Sequence, residues 1–292
     1  MAEREQTLKH RVWFVTGASS GFGEAVSESV LQHGGRLAAT ARHVDALRSL
    51  ADLGGDRVLT LPLDVTDAAA AKTAIDRTVE HFGSIDVVFN NAGYGHVGAI
   101  EELTDKEFRQ QIEVDFFGVV NVTRAALPHM RRQRSGHLVQ MSSLNGVEGL
   151  PGGGFYTASK FAVEGFSESL ASEVAHLGIR VTIVEPAPFR TRFLDDSSAK
   201  WSPPMKDYAE SVGKVRQSLK AMDGKQPGDP RRAAKAILQA VEAKKPPLRL
   251  ALGQMAVDHI RAALVAESKE LDAWAHLSAS ADFPGHESQP TA

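Results

Sequence analysis

Tyr156 and Lys160 stand four residues apart in Tyr156-Thr157-Ala158-Ser159-Lys160. On a helix that spacing puts both side chains on one face, a turn apart. A phenol titrates near ~10 in water and is a poor base at neutral pH. An ammonium beside it stabilises the phenolate and makes proton exchange with a substrate oxygen feasible. Ser143 lies thirteen residues earlier, at the carboxyl end of a predicted strand, where its hydroxyl could hold that oxygen beside the phenol. Taken alone, a tyrosine and a lysine at this spacing are as easily surface decoration.

A second cluster, Thr16-Gly17-Ala18-Ser19-Ser20-Gly21-Phe22-Gly23, joins the first predicted strand to the first predicted helix. Three glycines so placed permit a tight turn, close backbone approach to a pyrophosphate and close helix–strand contact. The helix start adds free N–H groups and a partial positive charge. At the end of the second strand, where NAD-selective sites usually carry an acidic residue, Ala41 is followed by Arg42. A guanidinium suits a 2′-phosphate, so NADP(H) is favoured over NAD(H), which stays possible. A solvated arginine at a strand end is the plainer alternative.

The elements that must position these groups follow from hydrophobic pattern. Short, continuously apolar runs at 12–16, 36–41, 57–63, 85–90, 137–142 and 179–185 read as parallel strands buried on both faces. Helix-length segments at 21–33, 44–53, 67–82, 104–131 and 155–177 separate them. This alternation predicts an α/β fold, with ligands at the carboxyl ends of the strands of a doubly wound parallel sheet. The rhythm breaks after Pro186, and residues 189–228 read as an excursion with one helix. A helix at 229–243, capped by Asp229 with Pro230 at its first position, restores it. A strand at 248–252 and an amphipathic helix at 254–277 follow, the latter with Ile260, Leu264, Leu271 and Trp274 near one stripe. One domain, 1–280, with a disordered polar tail at 281–292, is the economical reading.

Together, TGASSGFG (16–23), Asp64, NNAG (90–93), Ser143 and YTASK (156–160) resemble the classical short-chain dehydrogenase/reductase family across about residues 10–192. The resemblance implies a single Rossmann-type domain with helices on both faces of the sheet and a substrate lid at about 189–228. It makes Tyr156 the acid/base and Ser143 the substrate-orienting hydroxyl. Lys160 would bind the ribose and lower the tyrosine pKa. The dinucleotide would run along Gly17, Ser19, Ser20, Gly21, Phe22 and Gly23, with Asp64 and Val65 at the adenine and Asn91, Ala92 and Gly93 bordering it. Pro186-Ala187-Pro188-Phe189-Arg190-Thr191 resembles the family's stretch beside the carboxamide, bringing in Pro186, Phe189 and Thr191. Two positions depart from the pattern. Asp115 falls where the family has an asparagine whose main-chain carbonyl anchors a proton-relay water, and Ala187 replaces a glycine. A carboxylate at Asp115 is expected to shift the pH profile.

Other features bound the function. Cysteine is absent, which excludes disulfides and thiolate catalysis, and the eleven histidines form no metal-binding motif. A net charge of −3 without a basic block argues against nucleic acid or an anionic membrane as partner. No apolar run is long enough to span a bilayer, and Met1-Ala2-Glu3-Arg4-Glu5 does not open a signal peptide, so a cytoplasmic enzyme is expected. The family suggests a homodimer or homotetramer through helices near 104–131 and 155–177, with the 254–277 helix covering a sheet edge or joining a partner. Phe189, Phe193, Trp201 and Tyr208 either line an apolar pocket or give the excursion a small core of its own. Tyr94 and His96 either border the substrate or belong to a surface turn, whereas Glu148 and Leu150 are expected to line the site. Three functions compete: an oxidoreductase on a bulky apolar secondary alcohol or ketone, an enzyme without hydride chemistry, and a dinucleotide-sensing module without turnover. Arg190, Arg192 and Lys200 keep an anionic substrate in play.

Overall fold

The computed structural model describes residues 9–195 and 198–283. The start of the chain, and the expected tail from residue 284 onward, lie outside the described residues. Seven parallel strands form one sheet: β1 (Val12–Val15), β2 (Arg36–Ala41), β3 (Val58–Pro62), β4 (Val87–Asn90), β6 (Gly136–Met141), β7 (Ile179–Pro186) and β9 (Arg249–Leu252). Their order is β3-β2-β1-β4-β6-β7-β9. The chain therefore reverses its winding between β1 and β4, the switch point where this class of sheet opens a crevice.

Every strand was expected to be apolar on both faces, and side-chain alternation explains why. Trp13 and Val15 of β1, with Phe89 and Val139, pack on one side against α1 (Gly21–Gln32) and α8 (Pro230–Glu242) through Val26, Val30, Ile237 and Val241. Phe14, Val88 and Leu138 face the other side. There they meet Ile75 of α3 (Ala68–Phe82), Val122 and Met130 of α5 (Gly118–Gln133), and Leu170 of α6 (Gly154–Val174). The short α2 (Arg48–Gly54) links β2 to β3. Helix starts follow local chemistry. Asp67 accepts from the amides of Ala69 and Ala70, and Asp229 accepts from that of Arg231 with Pro230 at the first position.

The long predicted helix at 104–131 proves to be two. Helix α4 (Asp105–Ile112), opened by a reciprocal Thr104–Glu107 capping box, passes through a π-helical turn at Glu113–Phe117 into α5. A single π turn within a long helical segment has no composition signature of its own, so the apolar pattern reads as one helix. Inside the excursion, α7 (Lys214–Met222) is the expected helix. A two-residue strand β8 (Lys200–Trp201) also pairs in parallel with β5 (His96–Val97), which is too short for any periodicity to reveal. Helix α9 (Gln254–Ala279) buries Ala256 but leaves Leu264, Leu271 and Trp274 more than half exposed, so its stripe does not cover the sheet edge. No helix among the described residues is long and apolar enough to cross a membrane.

Candidate active site

The glycine turn leaves β1 at the switch point. Gly17 has φ of 63°, a conformation that favours glycine, and a side chain there would meet Ala92 Cα and Asn91 Nδ2 at 3.1 Å. At Gly23 a Cβ would fall 2.2 Å from the Gly17 carbonyl oxygen, so only glycine lets the helix begin this close to the turn. Ser20 caps α1 without a side-chain hydrogen bond, which leaves the helix's first amides free for an anion. These features fit a dinucleotide pyrophosphate. Thr16 locks the turn to the neighbouring strand end: its hydroxyl accepts from the amides of Asn91 and Ala92 at 2.9 Å. The Asn91 amide in turn donates to the carbonyls of Thr16 and Gly17 at 3.0 and 3.2 Å. The polar groups of Asn91 thus brace the turn.

The remaining expected cofactor residues lie along the same carboxyl edge. Arg42 is exposed beyond buried Ala41. Hydrogen bonds from the amide and hydroxyl of Thr66 hold the Asp64 carboxyl below its usual range, and the field of Arg42 adds to them. Val65 is buried against Gly118 of α5, where a Cβ would approach its Cγ2 to 2.6 Å. Thr191 stands across from Gly21, 3.4 Å from where a Cβ would lie. Phe189, by contrast, is buried in the main core, with its ring 5.0 Å from that of Phe22.

Ser143, Tyr156 and Lys160 converge at the ends of β6 and β7. Ser143, nearly buried, opens a short 3-10 turn, accepts from the Asn145 amide at 3.1 Å and lies near enough to the Tyr156 phenol to favour its ionised form. Lys160 is buried, and its ammonium lies 5.5 Å from the centre of the Tyr156 ring. It donates to the Met141 carbonyl at 3.0 Å and sits 3.8 Å from Asp115 Oδ2. Asp115 is fully enclosed. The π turn carries its carboxylate to the Tyr94 amide at 3.1 Å and the Ser159 hydroxyl at 3.4 Å. Burial raises the Asp115 carboxyl to about 6, with Lys160 pulling against the rise. Burial also pushes the Tyr156 phenol up, the Ser143 hydroxyl opposes this, and the Asp115 charge adds to it. Lys160 is lowered by burial and pulled back by Asp115 and Glu164.

The excursion closes over this group by defined contacts. Its Phe193 ring lies 5.7 Å from that of Tyr156 and against Gly95, where a Cβ would come within 2.9 Å of it. Trp201 and Tyr208 instead hold the lid in place: Lys220 lies 5.1 Å over the Trp201 ring, and the Tyr208 hydroxyl donates to Glu101 at 2.6 Å. Of the four lid aromatics, Phe193 therefore faces the site, whereas Phe189 belongs to the core. Among the three cations, Arg190 donates to the Gln226 carbonyl and Arg192 to that of Ser19, each at 3.3 Å. Lys200 donates to Gln110 and covers the Tyr94 ring at 4.6 Å. His96 is buried and bonded to Ser202 at 3.1 Å, so it fastens the lid strand. Glu148 pairs with His259 of α9 at 3.0 Å.

Sequence reasoning missed the residues that anchor this lid. Glu102, its side chain fully buried, accepts from the amides of Ala99 and Met205 and from Arg216, each within 2.7 Å. Burial opposes its charge, but these donors together hold its carboxyl below the usual range. A lone glutamate and a lone arginine more than a hundred residues apart give no sequence signal of their pairing.

The short chain dehydrogenase model matches residues 11–201, a span containing the glycine turn, Ser143, Tyr156 and Lys160. The chain belongs to the short-chain dehydrogenase family. Among members of that family, the 3-ketodihydrosphingosine reductase of Bacteroides thetaiotaomicron is 37% identical over 251 residues, 85% of this chain and 90% of that protein. A short-chain dehydrogenase from Streptomyces avermitilis superposes with a TM-score of 0.87 at 43% identity, covering 93% of this chain and all of that one. An alcohol dehydrogenase from the archaeon Thermococcus sibiricus, solved with 5-hydroxy-NADP, has a TM-score of 0.68 at 27% identity over 84% of this chain and 95% of that one. This short-chain dehydrogenase is thus an oxidoreductase with a Rossmann-type parallel sheet.

Proposed function

We propose that this enzyme uses NADP(H) to interconvert a bulky, largely apolar secondary alcohol and its ketone. The observation that carries the reading is the convergence of Ser143, Tyr156 and Lys160 beyond the end of β6, with the Lys160 ammonium 5.5 Å from the centre of the phenol ring and the Phe193 ring 5.7 Å from it. The bound nicotinamide would supply or accept the hydride at the carbonyl carbon. Ser143 holds the substrate oxygen, and Tyr156 gives its phenolic proton to that oxygen as negative charge develops there, or takes it back in the oxidative direction. Lys160 fixes the ribose side of the pocket and keeps a positive charge near the phenol. The cradle for the dinucleotide is the Gly17–Gly23 turn with Asn91–Gly93, Pro186 and Thr191 around it, and Asp64 lies on the adenine side.

NADP(H) is preferred because Arg42 is exposed at the end of β2, where an acidic residue would select NAD. Engagement of Arg190 and Arg192 by backbone carbonyls, and of Lys200 by Gln110 and Tyr94, favours an uncharged substrate over an anion. The relative named as a 3-keto reductase supports ketone reduction. The test is a panel of ketones and alcohols assayed with NADPH, NADH and their oxidised forms. Bulky alicyclic and long-chain ketones with NADPH should give the highest kcat/KM; small polyols or keto-acids doing better would overturn the substrate class.

A further inference from the structure

We propose that Asp115 is a positioning residue whose carboxylate counterbalances Lys160 and keeps Tyr156 in its protonated, proton-donating form. This rests on the reading of Tyr156 as the acid/base. The π turn drives an acidic side chain into an enclosed site, 3.8 Å from an ammonium that itself lies 5.5 Å from the phenol ring. Gly93 makes room for it, since a Cβ there would stand 3.1 Å from Asp115 Oδ1.

The groups facing this centre can be named element by element among the described residues. From α6 come Tyr156, Ser159 and Lys160, with Glu164 a turn further acting on Lys160. The loop after β4 contributes the Tyr94 amide, α4 contributes Gln111, β6 ends in Ser143 beside the phenol, and the lid brings only the Phe193 ring. Two charges thus act on the phenol with opposite sign. The ammonium favours phenolate, whereas the carboxylate disfavours it directly and by neutralising the ammonium in a medium where screening is weak. Replacing the carboxylate by an amide removes one side of this balance. Lys160 keeps the Met141 carbonyl and the field of Glu164, so it stays charged and its effect on the phenol is released.

The test uses Asp115→Asn, which preserves volume and an acceptor for the Tyr94 amide. The chain has three tyrosines, so phenolate formation can be followed by near-ultraviolet absorbance. Tyr94 also feels Asp115, so the Tyr156 signal is isolated by subtracting spectra recorded on a Tyr156→Phe background. Asp115→Asn should move the Tyr156 titration to lower pH by about one pH unit. The alkaline limb of ketone reduction and the onset of alcohol oxidation should move with it. A titration that is unchanged, or moved to higher pH, in an active Asp115→Asn enzyme would overturn the inference while leaving the acid/base reading intact. Wild-type turnover in Tyr156→Phe would instead overturn that reading. Should the amide variant not fold, Asp115→Ser offers a smaller acceptor for the same amide and the same readout. Loss of folding in both would make the carboxylate a structural requirement and refute the tuning role.

Discussion

Arg42 and Tyr156 illustrate how differently single side chains can be tested. Arg42 is exposed, touches Asp64 only through its field, and carries no part of the fold. Arg42→Ala should therefore leave thermal stability unchanged. Loss of a charge-assisted phosphate contact is worth roughly 1.5–3 kcal/mol, so affinity for NADP should drop about tenfold or more while that for NAD hardly moves. Calorimetric titration of both nucleotides checks this. Tyr156→Phe removes the proton that the proposed mechanism transfers while keeping the shape of the ring. Turnover should fall by about two orders of magnitude or more with cofactor affinity nearly intact. Lys160→Ala should impair both, because the proposed mechanism has its ammonium serve the ribose side and the phenol together.

Between residues and the whole sheet, the lid and β7 carry the testable mechanics. Glu102 and Arg216 form a buried pair that joins the 96–102 segment to α7, with the Met205 amide on the same carboxylate. Arg216→Ala leaves that carboxylate enclosed without its cation, a loss typically of about 3 kcal/mol. Melting temperature should fall, and KM for a bulky substrate should rise more than kcat drops, as a loosened lid requires. An equal loss in both constants would speak against a lid role. At the end of β7, burial raises the Glu185 carboxyl to about 7; Glu164 adds to the rise and Arg249 opposes it. A carboxyl whose folded pKa lies above its unfolded value stabilises the fold at low pH, and that stability is lost as pH rises through the folded value. Wild-type stability should therefore decline between about pH 4.5 and 7, by at most roughly 3 kcal/mol from this group. Glu185→Gln should flatten the decline in chemical denaturation measured across that range.

At the scale of the molecule, α9 and the exposed aromatics of the π turn and α6 bear on assembly. Phe117 and Phe161 are 43% and 45% exposed, and Leu264, Leu271, Trp274 and Leu277 of α9 more than half so. Contiguous exposed apolar patches mark association surfaces, whereas single exposed side chains need no partner. The family expectation of a two-fold assembly through α4–α5 and α6 predicts a dimer or tetramer by light scattering at micromolar concentration. Phe117→Glu with Phe161→Glu should shift it toward monomer without unfolding the sheet. A monomeric wild type would place these faces in another role.

The seven strands, the glycine turn and the Ser143–Tyr156–Lys160 group were legible in the sequence because each depends on local pattern. Two-sided burial produces unbroken apolar runs, a tight turn demands glycine at fixed offsets, and a helix sets two side chains four residues apart on one face. The depth of Asp115 and its pairing with Lys160 had no such trace, because they depend on where a π turn carries one side chain against a distant helix. Phe189 and Phe193 look alike in the sequence, yet one fills the core and the other meets Tyr156. The Glu102–Arg216 clasp and the β5–β8 pairing join segments about a hundred residues apart. Distance in space between such segments depends on how the whole sheet winds, so tertiary structure alone decided which charges meet and which side chains reach the site.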